Sequence, residues 1–252
     1  MDTIRSIFVS LVLASLIGCP AQQAPAQASS GGLVGAVRSA VAPAPARTTI
    51  VLIDISGSID PDDRGLYIRS LRAAGASLSG GDRLLVAHVG DATRGRFRTA
   101  FDIEVPKSRV RLEQEEALAR ARARVHREAL RLIPAEAPSQ RHTRLLEAIA
   151  AAAPAFGPRP RSGARLILLT DAVEESDTLD LSRRPLDAPA RREALARARA
   201  DGLVPDLAGV ELHVIGAGGR HYASVEGFWR AWAGASSARL ATYGRLPLAS
   251  RA

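Results

Sequence analysis

The chain has 252 residues and a formal net charge of +8, from 34 Lys and Arg against 26 Asp and Glu. Arginine supplies nearly all of this positive charge, since Lys107 is the only lysine. The arginines are spread over several predicted helices beside Ala and Glu, so solvated helix faces explain them better than a nucleic-acid interface does. Cys19 is the only cysteine, which excludes an intramolecular disulfide, and a folded domain must therefore be held together by core burial.

An apolar segment over 7–17 has the length of a signal peptide. It is too short to cross a bilayer as a helix, which needs ~20 residues. The segment leads into Leu16–Cys19, which resembles the lipobox of bacterial lipoproteins. The resemblance implies cleavage before Cys19 and lipidation of its thiol; the alternative is an ordinary secretory signal with a chance cysteine. We therefore predict a lipoprotein signal peptide over 1–19, and a lipid-anchored protein of the bacterial cell envelope that faces the periplasm or the exterior.

Small, polar and proline-rich residues fill the next segment, 20–48. They lack the apolar mass that a packed core requires. We predict a flexible Ala/Pro/Gln/Ser-rich tether that lets the folded part of the chain sample the space above a membrane. The segment 49–246 is predicted to be a single domain, and 247–252 a short tail.

The body of the chain alternates between strand and helix patterns. Continuous apolar runs are typical of strands buried on both faces, and Pro61 with the acids after it is typical of a first helical turn. In chain order we predict a strand (Thr49–Ile53), a helix (Pro61–Leu78), two strands (Arg83–Val89 and Gly95–Val105), a helix (Ser108–Leu132), a helix after Thr143, a strand (Ala164–Asp171), a helix (Asp187–Ala200), a strand (Val210–Ile215), a helix (Ser224–Ala235) and an edge strand (Leu240–Tyr243). This alternation predicts an α/β fold: a doubly wound, mostly parallel sheet with helices on both faces.

Oxygen-bearing side chains follow two of the predicted buried strands. Asp54, Ser56 and Ser58 come directly after the first strand, Asp171 closes a later one, and Thr143 precedes a helix between them. The carboxyl ends of parallel strands form the crevice in which open α/β sheets bind ligands. Hard oxygen donors suit a hard divalent cation such as Mg²⁺. Taken alone, Asp-x-Ser-x-Ser is also typical of a turn whose side chains satisfy backbone groups before a helix.

All five residues, in this order, resemble the metal-ion-dependent adhesion site (MIDAS) of the von Willebrand factor A (VWA) family. The resemblance implies that Ser56, Ser58 and Thr143 bind Mg²⁺ (or Mn²⁺ or Ca²⁺) directly and that Asp54 and Asp171 often act through water. It also implies an open coordination position, which an Asp or Glu of a protein partner fills. An acidic protein partner is compatible with the positive net charge as well.

Two positions depart from the family pattern. Arg141 and His142 stand where a glycine often precedes the ligand threonine, and Ala172 replaces the glycine that usually follows the second aspartate. Neither change removes a ligand, but each makes the backbone less permissive. His142 is interpreted as a surface or capping residue and not as a metal ligand.

The sequence contains no enzymatic motif: it has no Gly-x-Ser-x-Gly elbow, no paired acid–base constellation and no phosphate-cradling Gly-Lys loop. We therefore expect a non-enzymatic binding protein. The alternatives are a structural envelope lipoprotein with a degenerate metal site or, less favoured, a hydrolase that activates water with the ion. Phe228, Trp229 and Trp232 are expected to be core residues, with a partner surface as the alternative.

Overall fold

Two strongly apolar runs of the described residues form the central strands of a six-stranded sheet. In the computed structural model of the chain, the described residues are 46–56, 60–93, 96–133, 143–157, 163–183, 185–219 and 221–248. They belong to one unit, Ala44–Ala252. The predicted signal peptide with Cys19, most of the predicted tether, Ser58, His142 and residues 249–252 lie outside the described residues, so the predictions made for them stay predictions.

The sheet is parallel except at one edge. Its strands are β1 (Thr48–Ile53), β2 (Arg83–His88), β5 (Phe101–Glu104), β6 (Ala164–Leu169), β7 (Val210–Ile215) and β8 (Arg239–Gly244), while β3 (Ala92–Thr93) and β4 (Arg96–Phe97) pair separately. The order across the sheet is β5-β2-β1-β6-β7-β8, and only β5 runs antiparallel to its neighbour. The chain thus reverses its winding between β1 and β6, which makes their carboxyl ends the switch point of the sheet.

Within the described ranges the helices are α1 (Pro61–Ala76), α2 (Arg111–Leu132), α3 (Leu145–Ala152), α4 (Ala188–Ala200) and α5 (Tyr222–Ala235), with short 3-10 turns at Val89–Asp91 and Ala153–Phe156. Asp60 and Asp187 cap α1 and α4 by accepting the N–H of the third residue on, and a proline begins the first turn of each. Along the described part of the chain, no helix combines the length and the apolar character needed to cross a membrane.

The helices cover both faces of the sheet, as the alternation predicts. Along β1, Val51 and Ile53 pack with α1 and α2, whereas Ile50 and Leu52 pack with α3, α4 and α5. Every residue of β1 is buried for this reason. The predicted fold class, a doubly wound and mostly parallel α/β sheet, is confirmed.

The aromatic residues of α5 lie in the core. Phe228, Trp229 and Trp232 have no solvent exposure, and the two indoles meet edge to face with ring centroids 5.6 Å apart. Each indole N–H donates to a backbone carbonyl, that of Ala172 at 3.0 Å and that of Leu203 at 3.1 Å. These bonds satisfy the polar edge of each buried ring, and the expectation that this group is core is confirmed.

One predicted strand, Gly95–Val105, is wrong as a single element. The chain forms β4 over Arg96–Phe97, which pairs back onto β3, and then β5 over Phe101–Glu104, which pairs with β2. The apolar alternation across this segment therefore serves two different partner strands. The ends of the other elements lie within three residues of their predicted positions, close to the usual uncertainty of helix and strand boundaries.

Gly216, just after β7, should not tolerate a side chain. Its φ is +106°, and a Cβ there would lie 2.7 Å from the Tyr67 hydroxyl and 2.8 Å from the Thr170 carbonyl oxygen. We expect Gly216→Ala to lower the free energy of unfolding by about 2–4 kcal/mol, because the left-handed backbone and the overpacking each cost roughly 1–3 kcal/mol. The measurement is urea denaturation. The matched control is Gly234→Ala in α5, where a Cβ meets nothing within 4 Å and the helix should gain roughly 0.5–1 kcal/mol. Equal stability of the two variants would contradict this packing.

Candidate functional site at the carboxyl edge of the sheet

Asp54 follows β1 and is held rigidly in a buried position. Asp54 is only 3% exposed. Oδ1 accepts the Ser56 N–H at 2.9 Å and Oδ2 accepts the Thr170 hydroxyl at 2.9 Å. Because each oxygen carries further acceptor capacity, the carboxylate is oriented by these bonds and can still face a cation.

Asp171 lies beside Asp54 because β1 and β6 are parallel neighbours. Ile53 pairs with Leu169, and the Asp54 N–H donates to the Leu169 carbonyl at 2.9 Å, so the two acids leave adjacent strand ends. The Asp171 carboxylate accepts the Val173 N–H at 2.9 Å and remains half-buried. The predicted juxtaposition of two carboxylates at one edge of the sheet is therefore present in the fold.

Ala172 carries the strain that its glycine-like position implies. Its φ is +71°, a left-handed conformation that costs a non-glycine residue roughly 1–2 kcal/mol. Its N–H donates to the Thr170 hydroxyl oxygen at 3.1 Å, and its carbonyl accepts the Trp229 indole N–H. Tertiary contacts hold the backbone in a shape that glycine would adopt freely.

Thr143, at the start of α3, contacts the loop that follows β6. It is 6% exposed and directly precedes the first turn of α3. Its carbonyl accepts the Glu175 N–H at 2.8 Å, which ties it to the loop after β6. Ser56, 7% exposed, is bonded to Asp54 as described. The structure thus places Asp54, Ser56 and Asp171 at the ends of β1 and β6 and ties Thr143 to the loop after β6, while Ser58 lies outside the described residues. Their role as metal ligands stays a prediction.

Three acids surround one buried phenol. Tyr67 in α1 is 1% exposed, and its pKa is raised, first by burial and then by the negative charges of Asp63, Asp54 and Asp171. The negative charges of both predicted ligand carboxylates therefore act on the Tyr67 hydroxyl. A divalent cation between the two carboxylates would reduce the local negative charge.

Sequence reasoning missed Glu174. This side chain has no solvent exposure, and its Oε2 accepts the Leu146 N–H of α3 at 3.0 Å. Burial raises the pKa of Glu174 to about 7, against the opposing effect of hydrogen bonds from Ser176 and from the start of α3. No sequence signal pointed to this contact, which follows from the structure: the N-cap residue of α3, Arg144, makes no side-chain capping bond.

A cleft of about 500 Å³ opens beside Asp171. It is lined by Asp60, Asp63, Asp171, Val173, Glu175, Leu181, Ser182, Arg183, Gly216, Gly218, Gly219, His221, Val225 and Arg245. The Arg245 guanidinium lies 2.8 Å from Asp63 and 3.5 Å from Asp60. A hydrogen bond from the Asp63 N–H and this guanidinium hold the pKa of Asp60 below its usual value, whereas burial raises that of Asp63.

The donor set fits a hard cation. Two carboxylates and the hydroxyls of serine and threonine are ligands that Mg²⁺ and Mn²⁺ accept. Among the described residues no group of three or more His, Cys, Asp or Glu could hold a metal ion. A cation at this edge would therefore depend on hydroxyl oxygens as well as on the acids.

No protein-family model matches the chain, and no curated protein does. Solved structures do. A von Willebrand factor type A protein from Catenulispora acidiphila is 18% identical over 76% of this chain and 43% of its own, with a TM-score of 0.35. The manganese-loaded TRAP protein of Plasmodium vivax is 18% identical over 75% and 62%, with a TM-score of 0.37. The PilB minor pilin of Streptococcus sanguinis is 13% identical over 79% and 57%, with a TM-score of 0.40.

The chain spans less than two thirds of the length of each of these proteins. The VWA resemblance noted in the sequence is thus met again among solved structures.

Proposed function

We propose that the chain is an envelope-anchored, VWA-like binding protein that uses a divalent cation to capture an acidic residue of a protein partner. The observation that supports this most is the buried Asp54 carboxylate, clamped at the switch point of the sheet beside Asp171. We propose no catalytic role for the chain. A structural lipoprotein with a degenerate site is the second candidate, and the strained Ala172 backbone is the observation that favours it.

Each residue has a separate role in this proposal. Ser56, Ser58 and Thr143 hold the cation through their hydroxyl oxygens. Asp54 and Asp171 balance its charge and orient water in its inner shell. When bound, Mg²⁺, Mn²⁺ or Ca²⁺ supplies an open coordination position for a carboxylate. The fixed backbone around Asp54 keeps the ligands in place before the partner arrives, which lowers the entropy cost of binding.

The first test is metal titration of the purified chain. Isothermal titration with Mg²⁺ and with Mn²⁺ should show one site, which is lost in Asp54→Ala and weakened at least tenfold in Asp171→Ala, because each change removes a carboxylate that balances the ion. Glu104→Ala, an exposed acid on the distant edge strand β5, is the control and should bind like the parent. Equal binding by the parent and Asp54→Ala would place the metal elsewhere.

The second test is partner capture. Ser56→Ala, Ser58→Ala and Thr143→Ala should each weaken binding of the partner while the far-UV circular dichroism stays unchanged, since each change deletes a hydroxyl ligand and removes no apolar packing. Ser79→Ala, an exposed hydroxyl before β2, should have no effect.

The same capture should fall with EDTA, recover with Mg²⁺, and fall when one Asp or Glu of the partner is neutralised. If neither EDTA nor any of the three hydroxyl deletions changes partner binding, the adhesion-site proposal is contradicted and the degenerate site is favoured.

The third test is anchoring. Cys19→Ser should turn a membrane-fraction lipoprotein into an uncleaved or soluble species, because several acyl chains together anchor stably where one alone is marginal. Fractionation with electrophoretic mobility is the measurement. A variant that fractionates and migrates like the parent would show that Cys19 is not lipidated.

A further inference from the structure

We propose that Glu174 is a positioning residue of the cation site: it holds Thr143 in place by capping α3 from the loop that carries Asp171. The inference rests on the proposed function, since it assigns Thr143 to the cation. It concerns a residue that is neither in the metal motif nor close to Thr143 in sequence. Three contacts between the loop after β6 and its surroundings support it.

First, the N-cap residue of α3 does not cap the helix with its side chain. Its N-cap position, Arg144, makes no side-chain hydrogen bond to the first turn. The first N–H groups of a helix lack intrahelical partners and carry partial positive charge. The Glu174 carboxylate occupies this place from the adjacent loop, with Oε2 3.0 Å from the Leu146 nitrogen. A capping interaction of this kind stabilises the start of a helix.

Second, the same loop forms a direct hydrogen bond with Thr143. The Glu175 N–H donates to the Thr143 carbonyl at 2.8 Å. Thr143 is therefore fixed on both sides: its carbonyl by Glu175, and the turn that follows it by Glu174. Loop and helix start move together as long as both bonds are made.

Third, backbone contacts within the loop hold it in place. Glu175 and Asp180 form an antiparallel bridge, and the Leu181 N–H donates to the Glu174 carbonyl at 2.8 Å. Asp171 lies three residues before Glu174 on this same segment. Glu174 thus connects the strand-end carboxylate and the helix-start hydroxyl, which are the two parts of the predicted site that come from outside the Asp54 motif.

The chemistry of Glu174 makes the proposal testable apart from stability. A carboxylate with no exposure carries a desolvation cost, which offsets part of what its hydrogen bond to α3 contributes, so removing it should cost little stability. Glu174→Leu keeps most of the volume but cannot accept a hydrogen bond. Glu174→Gln keeps both the volume and an acceptor oxygen. A merely structural role predicts that metal affinity follows stability, whereas a positioning role predicts that affinity follows the acceptor.

The experiment measures Mn²⁺ affinity of the full chain, by isothermal titration, for the parent and both variants. We expect Glu174→Leu to bind Mn²⁺ at least tenfold more weakly, the usual scale of lost support behind metal ligands, although its urea midpoint falls only slightly, as expected for the loss of one helix cap. Glu174→Gln should restore affinity to within about threefold of the parent.

In a double-mutant cycle, Thr143→Ala should weaken binding in the parent but add little in the Glu174→Leu background, because the two changes disable one ligand. Parent-like affinity of Glu174→Leu, or fully additive losses, would overturn the proposal.

Hydrogen exchange of the metal-free chain separates this inference from the proposed function. Protection of the Leu145 and Leu146 amides should fall in Glu174→Leu and persist in Glu174→Gln; unchanged protection in both would overturn the capping contact. A parent chain that binds no Mn²⁺ would overturn the proposed function and, with it, the assignment of Thr143 to a cation. A parent that binds Mn²⁺ while Glu174→Leu binds equally well would overturn the positioning role alone.

Discussion

The parallel pairing of β1 with β6 is the constraint on which the rest of the structure depends. It places Ile53 beside Leu169, so that the chain leaves both strands at the same edge and in the same direction. Because strand order reverses at this pair, the loops that follow diverge and open a crevice. Asp54 and Asp171 become neighbours through backbone hydrogen bonding, before any interaction between their side chains is considered.

Concentrating negative charge at that edge is costly, and the surrounding residues offset the cost by donating hydrogen bonds. Asp54 receives one from the Ser56 N–H and one from the Thr170 hydroxyl. Thr170 is itself completely buried, so its hydroxyl cannot turn to water and serves the site instead. The result is a preorganised oxygen-rich edge, which is the condition under which a cation gains most from binding.

Support for the site comes from both faces of the sheet. On one face, Tyr67 of α1 lies beneath the acids and closes the space behind Gly216. On the other, Trp229 of α5 donates to the carbonyl of Ala172 and holds the strained backbone next to Asp171. The aromatic helix therefore acts on the site through packing and one hydrogen bond, and not as a separate binding surface.

Much of the fold could be predicted from local patterns. Apolar runs that end in acids predicted the buried strands, and Pro61 with the acids after it predicted the start of α1, because these signals depend on residues close in sequence. The segment from Gly95 to Val105 failed for the opposite reason: its alternation is compatible with one strand or two, and only the choice of pairing partner decides.

By itself the sequence determined the order of strands and helices and the oxygen-bearing residues at the ends of two strands, since both are matters of residue type and spacing. Tertiary structure alone decided that the loop after β6 reaches the start of α3. Glu174 caps α3 through Leu146, which is 28 residues away in the chain. No periodicity or motif in the sequence predicts a contact over that sequence separation. Its burial and its partner follow from how β1, β6 and α3 pack, because a buried carboxylate is tolerated only where the fold brings donors to it.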